Sequence, residues 1–451
     1  MTKRSDRLAN EPIFKLVLMM GLPAVFSMII QALYNVVDTI YISNYSQDAM
    51  FAIGIVYPLQ IVGLSVALGT GIGVGSLVSR KLGEQNYHEA EHVATTGIFL
   101  TIFHWLLLAL VGIFFTKPFL SGFSSDPEII EMADTYISLI LILSIGQGMS
   151  ILFERILQAQ GNMVRPMFGV VLAALTNIIL DPIFIFGWGP IPDMGILGAA
   201  IATIIGQFVG MFINGYGVLF KSHDIHISFK DFSFDKDIIK MIYNVGIPTT
   251  IMNMIGSVTA TCLNSILVQY GENAVTSLSL YFKLQTFVFM PVFGFNQGTL
   301  PILAYNYGAQ NPKRYLDTVK VYLSLAAGVM FIGTCAFRLM PETILSIFEM
   351  DNELRMMAAR VISIISLSFI PAAFNIVSTT ILQSFGKGML SMMQSMIRQL
   401  IMLIPFAFIL SKAWGLYATF FAYPLSEILV LLIYVTIIIK AYHKAFGGKH
   451  A

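Results

Sequence analysis

The chain reads as an all-α, polytopic membrane protein of about 12 transmembrane helices, arranged as two pseudo-symmetric six-helix bundles around a central cavity. Three observations predict it. Of 451 residues, 56% are hydrophobic and only 11% charged, and mean hydropathy is +0.77, a balance that belongs to membrane chains. Apolar runs longer than about 18 residues recur along the length, each sufficient to cross a bilayer. Positions 225 apart carry the same residue too often for chance.

Apolar runs between charged or Gly/Pro breaks give helices near 13–43, 50–79, 91–116, 129–160, 164–188, 195–221, 237–269, 274–306, 314–340, 355–385, 389–411 and 413–442. Several exceed the roughly 20 residues a bilayer needs, so tilt, kinks or protrusion are expected. The first run is too long for a signal-peptide core and has no small-residue cleavage site, so it reads as a retained span. Basic residues then set the orientation. Lys3, Arg4 and Arg7, Arg80 and Lys81, Arg165, Lys221 with Lys230, Lys236 and Lys240, Lys313 and Arg314, Lys387, Lys440 and Lys444 share one side. By the positive-inside rule that side, with both termini, is the cytoplasm of a plasma-membrane protein.

The constant offset is an internal duplication. Gly21 and Pro23 return as Gly246 and Pro248, Gly69 and Gly73 as Gly294 and Gly298, and Gly83, Gln85 and Asn86 as Gly308, Gln310 and Asn311. Asp126, Gln158 and Gly161 return as Asp351, Gln383 and Gly386. Residues 1–222 therefore form a first six-helix lobe, 223–236 a cytoplasmic linker and 237–451 a second lobe. An even number of crossings gives both lobes one orientation. Transporters built this way enclose a cavity between the lobes and rock one against the other.

Two carboxylates sit deep in apolar spans, where an ionised group is costly and marks a functional site by default. Asp38 lies roughly 8 Å, and Asp181 roughly 10 Å, below the outer surface, at 1.5 Å per residue. Thr203 comes out at roughly 12 Å. Asn177 is one turn from Asp181 on the same helix face. Gln31, Asn35 and Asp38 make a polar stripe on the first span with Tyr34 beside it, and Thr203 and Gln207 do so on the sixth. Two carboxyls held together in low dielectric take up a proton or a small cation such as Na⁺, either of which a transporter can couple to transport. The duplicate positions of Asp38 and Asp181 are Leu263 and Phe406, so the ionisable pair belongs to the first lobe alone. Glu154 on the fourth span is an accessory candidate for attracting a cationic substrate. Lys283, Arg360, Arg398 and Glu427 read as structural or interfacial.

Two motif matches carry less than they promise. Residues His88 to His92 spell H-E-x-x-H, a zinc-helix pattern, but they lie in a polar loop with no third ligand, and no metal site is expected there. The glycines from Gly69 to Gly75 lack phosphate-loop spacing. They read as small-xxx-small pairs for close helix packing. Cys262 and Cys335 define neither a disulfide framework nor a metal site. A net charge of +1 gives no global field for nucleic acid.

With these residues in hand, the chain resembles the multidrug and toxic compound extrusion (MATE) family over its full length. The resemblance rests on the paired G-x-P at Gly21/Pro23 and Gly246/Pro248, and on N-x-x-D at Asn35 and Asp38. It rests further on N-x-x-x-D-P from Asn177 through Asp181 to Pro182, on Gly198 to Thr203, and on Pro301 to Gly308 with Asn311. It implies export of amphipathic, often cationic compounds in exchange for H⁺ or Na⁺, by a non-enzymatic carrier with no cofactor. It carries Asp38, Asn177, Asp181 and Thr203 over as cation-site residues, with Glu154 as the fourth-helix acid. Expected partners are small amphipathic or cationic substrates and membrane lipids, not nucleic acid, and the protein is expected to be monomeric. The alternative is a lipid-linked oligosaccharide flippase of the same broad superfamily, which Arg155, Arg360 and Arg398 facing the cavity would favour.

Overall fold

In lipid every backbone N–H and C=O must be paired within the protein, which leaves long apolar segments little choice but helix. The computed structural model describes residues 6–221, 224–227, 229, 233–348 and 350–447. Among them, eleven helices are long and apolar enough to cross a membrane, and one bent pair completes a twelfth span. In order these are α1 (Ile13–Tyr45), α2 (Gln47–Gly83), α3 (Tyr87–Phe114), α4 (Pro127–Ile142 and Ile145–Ala159), α5 (Val164–Ile185) and α6 (Gly195–Phe220). The second set is α7 (Lys236–Tyr270), α8 (Glu272–Gly308), α9 (Pro312–Leu339), α10 (Asn352–Ser384), α11 (Gly388–Trp414) and α12 (Leu416–Phe446). The span expected over 129–160 is bent by 45° at Leu143 and Ser144, a kink of the kind its length allowed. Of the basic residues used to orient the chain, Lys3, Arg4 and Lys230 lie outside the described residues, as do parts of the linker.

The duplication is visible in local geometry. Asn86 caps α3 by accepting from Glu89 N at 3.1 Å, and Asn311 caps α9 by accepting from Arg314 N at 3.0 Å. The preceding residues, Gln85 and Gln310, are the two non-glycines with positive φ among the described residues, at 57° and 52°. Gly161 and Gly386 repeat the pattern with φ of 77° and 72°. Such matched use of a sparsely populated backbone region follows from matched sequence, because the same turn is being closed twice. The copies differ within α11, where residues Ile397–Leu403 form a π-helical segment that includes Arg398.

The bundles meet along α1 and α2 on one side and α7 and α8 on the other. A Cβ on Gly83 would overlap the Tyr305 carbonyl, and one on Gly308 would overlap the Arg80 carbonyl. These two approaches are related by the duplication, since Arg80 and Tyr305 are themselves 225 apart. A Cβ on Gly73 would lie 2.5 Å from the Ile242 carbonyl. Only glycine lets backbones come this close, which bears out the packing reading of the glycine run. Interbundle hydrogen bonds run from Thr250 Oγ1 to Ser65 O (3.1 Å), at mid-length of α2, through Ser76 Oγ to Gln383 O (3.2 Å). At the terminus-side end, Arg314 Nη2 donates to Leu8 O at 3.0 Å and to Glu11 O at 2.6 Å. All of these lie between mid-membrane and the side that holds the termini.

Candidate cation site

The first bundle brings its polar residues together from α1, α5 and α6. The Asp38 and Asp181 carboxyls are within hydrogen-bonding reach of each other. Asp181 is fully buried and accepts from Asn177 Nδ2 at 3.2 Å. The same amide donates to Thr203 Oγ1 at 3.3 Å, tying α5 to α6. The i,i+4 spacing of Asn177 and Asp181 places both on one face of α5. Pro182 follows within a helix that runs continuously from Val164 to Ile185, so the span passes the site unbroken.

Four buried acceptor oxygens of this group have no donor: Asp38 Oδ1, Asp181 Oδ2, Asn177 Oδ1 and Gln207 Oε1. Buried polar atoms are normally satisfied, and leaving one unpaired costs about 1–3 kcal/mol. An all-oxygen, acceptor-rich set beside two carboxylates is the chemistry a proton or a hard monovalent cation satisfies. No group of three or more His, Cys, Asp or Glu side chains that could hold a metal occurs among the described residues. Two carboxylates with neutral oxygens suit Na⁺ or H⁺ and fall short of a transition-metal site.

A cavity of about 130 Å³ opens next to this group, lined among others by Tyr34, Glu154, Asn177, Thr203 and Gln207. Glu154 stands in its wall, held by Gln158 Nε2 at 2.8 Å and lying 4.0 Å from the Arg155 guanidinium. Arg155 itself bonds Gln158 Oε1 at 2.9 Å. Of the residues named from sequence, Asp38, Asn177, Asp181 and Thr203 converge, while Tyr34, Gln207 and Glu154 share the cavity. Asn35 does not join them: it is exposed, and its carbonyl accepts from Thr39 in its own helix.

One residue beside the site was not singled out from sequence. Tyr136, on the first segment of α4, stands within electrostatic range of Asp38, Tyr34 and Asp181. Its hydroxyl accepts from Gln60 Nε2 at 3.2 Å. A phenol in an apolar run is too common to point to a site, and its partner lies 76 residues away. The H-E-x-x-H residues have another use. Glu91 accepts from His226 N at 2.8 Å, and His92 Nε2 donates to Ser233 O at 2.7 Å, so this stretch docks the chain segment leading to α7.

The second bundle carries its own buried network. Arg398 Nη1 pairs with Glu427 Oε1 at 2.8 Å, and Asn375 Nδ2 donates to Glu427 Oε2 at 2.6 Å. Gln394 Nε2 donates to Asn375 Oδ1 at 3.2 Å. The Arg360 guanidinium lies 4.1 Å above the Tyr417 ring.

Twelve spans among the described residues, in two like-oriented bundles, define the architecture of a membrane transporter. The chain belongs to the MatE family: the family model matches it twice, over residues 23–183 and 248–409. The two matches begin 225 residues apart and end 226 apart, in keeping with the duplication and with the π-helical segment of α11. The chain is 25% identical over 427 residues to the multidrug export protein MepA of Staphylococcus aureus, covering 94% of this chain and 93% of that one. It is 24% identical over 435 residues to an FAD transporter of Shewanella oneidensis, covering 94% of each. Its fold matches a MATE transporter solved in a straight conformation, with TM-score 0.92, 21% identity and 99% of both chains covered. A MOP superfamily transporter from Pyrococcus furiosus matches with TM-score 0.91 at 21% identity, again over 99% of each chain.

Proposed function

We propose that this protein is a secondary active multidrug efflux transporter, exporting amphipathic, often cationic compounds in exchange for H⁺ or Na⁺. The coupling ion binds in the first lobe at Asp38 and Asp181, with Asn177 and Thr203 fixing their geometry. The observation that carries this is the set of four donorless buried oxygens around the carboxylate pair. The relative named as a multidrug export protein supports the direction and cargo class.

In this reading residues 1–222 and 237–451 are the moving lobes and 223–236 the cytoplasmic linker. With the termini cytoplasmic, the interbundle contacts close the cytoplasmic side, so the arrangement faces outward. Ion uptake at Asp38 and Asp181 from outside neutralises the pair and favours release of cargo. Return to the inward-facing state delivers the ion to the cytoplasm. Each charge carried inward across 100 mV contributes roughly 2.3 kcal/mol to export. Ion and cargo need only favour opposite states, and they need not touch. Glu154, in the cavity wall, attracts a cationic cargo. The flippase alternative loses ground because Arg155 is held by Gln158, Arg398 by Glu427, and Arg360 lies on Tyr417.

The test is transport of a fluorescent organic cation by purified protein in liposomes, under an imposed proton gradient and then a sodium gradient. Dye movement under one gradient, lost in Asp38→Asn, is the expected result and identifies the ion. A folded protein that moves no dye under either gradient overturns the reading.

A further inference from the structure

One titratable side chain outside the carboxylate site bridges the two bundles. His104 lies in the apolar stretch of α3, and both of its ring nitrogens are bonded. Nδ1 is 3.0 Å from Thr70 Oγ1 on α2, within the first bundle. Nε2 is 2.9 Å from the Tyr243 hydroxyl on α7, in the second. For a neutral imidazole, one assignment of protons satisfies all three contacts. Thr70 gives its single O–H proton to Val66 O at 2.9 Å, so its oxygen accepts from His104 Nδ1–H. The other nitrogen of a neutral imidazole is then an acceptor, and Tyr243 donates to it.

We propose that His104 clasps the two bundles in the arrangement seen here, acting as a positioning residue that sets how readily they separate on the terminus side. The inference rests on the transporter reading, because only a protein whose bundles rock has use for a releasable clasp. The duplication argues against a purely structural role. The positions equivalent to His104, Tyr243 and Thr70 are Val329, Leu18 and Phe295, all apolar. Helices α1 and α9 meet across the interface as α3 and α7 do, yet these apolar side chains can form no such bond, so the clasp exists on one side of the interface only.

Its surroundings suit a bond that opens and closes. A cavity of about 20 Å³ lies beside the ring, lined by Thr70, Thr101, His104, Trp105 and Gln147 among others. That is room for roughly one water among several polar partners, enough to solvate the ring when Tyr243 withdraws. Gln147 also lines the larger cavity faced by Asn177 and Thr203, so one side chain borders both the clasp and the cation site. Nearer the termini α3 is strapped to the segment entering α7: Phe99 packs edge-on against Phe229 and Phe234, with ring centroids 6.0 and 5.6 Å apart. The second bundle cannot swing away from α3 without withdrawing the Tyr243 hydroxyl from His104.

The test measures the distance between the bundles directly. Spin labels are placed on Glu84→Cys and Ala309→Cys, two exposed positions at the terminus-side ends of α2 and α8, in a chain with Cys262 and Cys335 replaced by Ala. The full chain is reconstituted in lipid nanodiscs with Tyr243→Phe, with His104→Leu, and with both. Each single variant is expected to shift the population about fivefold toward the longer distance, the equilibrium equivalent of one ordinary hydrogen bond. The double variant should shift it no further than the larger single one, and His104→Gln, which keeps a donor and an acceptor, should recover part of the short-distance population. Distance distributions of both single variants that superimpose on the parent, or single effects that add in the double variant, would overturn the proposal. Tyr243→Phe removes one oxygen and keeps the ring, so it reads the clasp even where His104→Leu perturbs folding. Dye transport by the same parent chain is measured alongside: a parent that changes distance but moves no dye breaks the transport reading and leaves the clasp standing.

Discussion

In the first bundle, Ser150, Gly169, Ala173 and Gln207 line a cavity of about 130 Å³. In the second, the equivalent positions hold Asn375, Gln394, Arg398 and Glu427, which fill that space with one another. The first three pairs are 225 apart. The fourth is matched by counting from Gly195 and Gly415, positive-φ glycines at the entries to α6 and α12. One plan thus gives a cavity with unpaired oxygens where side chains are small or neutral, and a closed ionic network where they are large and charged. An arginine is what separates the outcomes. Glu427 has a cation built in, whereas Asp38 and Asp181 have none and, in the proposed mechanism, take one from solution. This gives the second bundle a physical reason to serve as the fixed counterpart of an ion-responsive first bundle.

The comparison breaks most sharply at the carboxylates. Asp38→Asn or Asp181→Asn should reduce gradient-driven dye transport in liposomes to passive leak, while Glu427→Gln paired with Arg398→Met should leave it standing. Loss of transport in that second-bundle pair, with the protein folded, would make both bundles ion-responsive. Next in size is stability. Arg398→Leu alone strands Glu427 beside Asn375 without its cation, at a cost of about 3 kcal/mol. Thermal unfolding in detergent should show this loss, and the double replacement should recover most of it.

Filling the first cavity should make it behave like the second. Ala173→Met places bulk where Arg398 stands in the other copy, and should weaken apparent affinity for the dye about tenfold, by steric loss of fit. An unchanged concentration dependence would put the cargo elsewhere. The smallest effect is expected at Tyr136→Phe, which removes one hydroxyl from the neighbourhood of Asp38. About a fivefold change in the ion concentration needed for half-maximal transport corresponds to one hydrogen bond. If Tyr136→Phe instead matches Asp38→Asn, the phenol belongs to the ion's own coordination.

The span count, the duplication and the pair Asp38 and Asp181 were legible in the linear chain. The bilayer makes each legible: it demands about 20 apolar residues per crossing and penalises any carboxylate left inside. Asn177 was legible for a local reason, because i,i+4 spacing on one helix fixes a shared face whatever the tertiary packing. Asn35 fits the same stripe and still points away, since a 3.6-residue period defines a face only to within a fraction of a turn. Residues whose meaning depends on distant partners stayed hidden. Tyr136 meets Gln60 and His104 meets Tyr243 across 76 and 139 residues, and nothing in either helix alone distinguishes those rings from ordinary packing. Nor could composition tell Glu427, neutralised by an arginine on another helix, from Glu154, which faces a cavity. The sequence by itself determined which segments enter the membrane and which charges cannot rest there unaided, because lipid acts on every residue alike. Which charges find a partner, which bundle keeps open space, and where the two bundles are held together were decided only by packing, because each depends on side chains brought together from helices far apart in the chain.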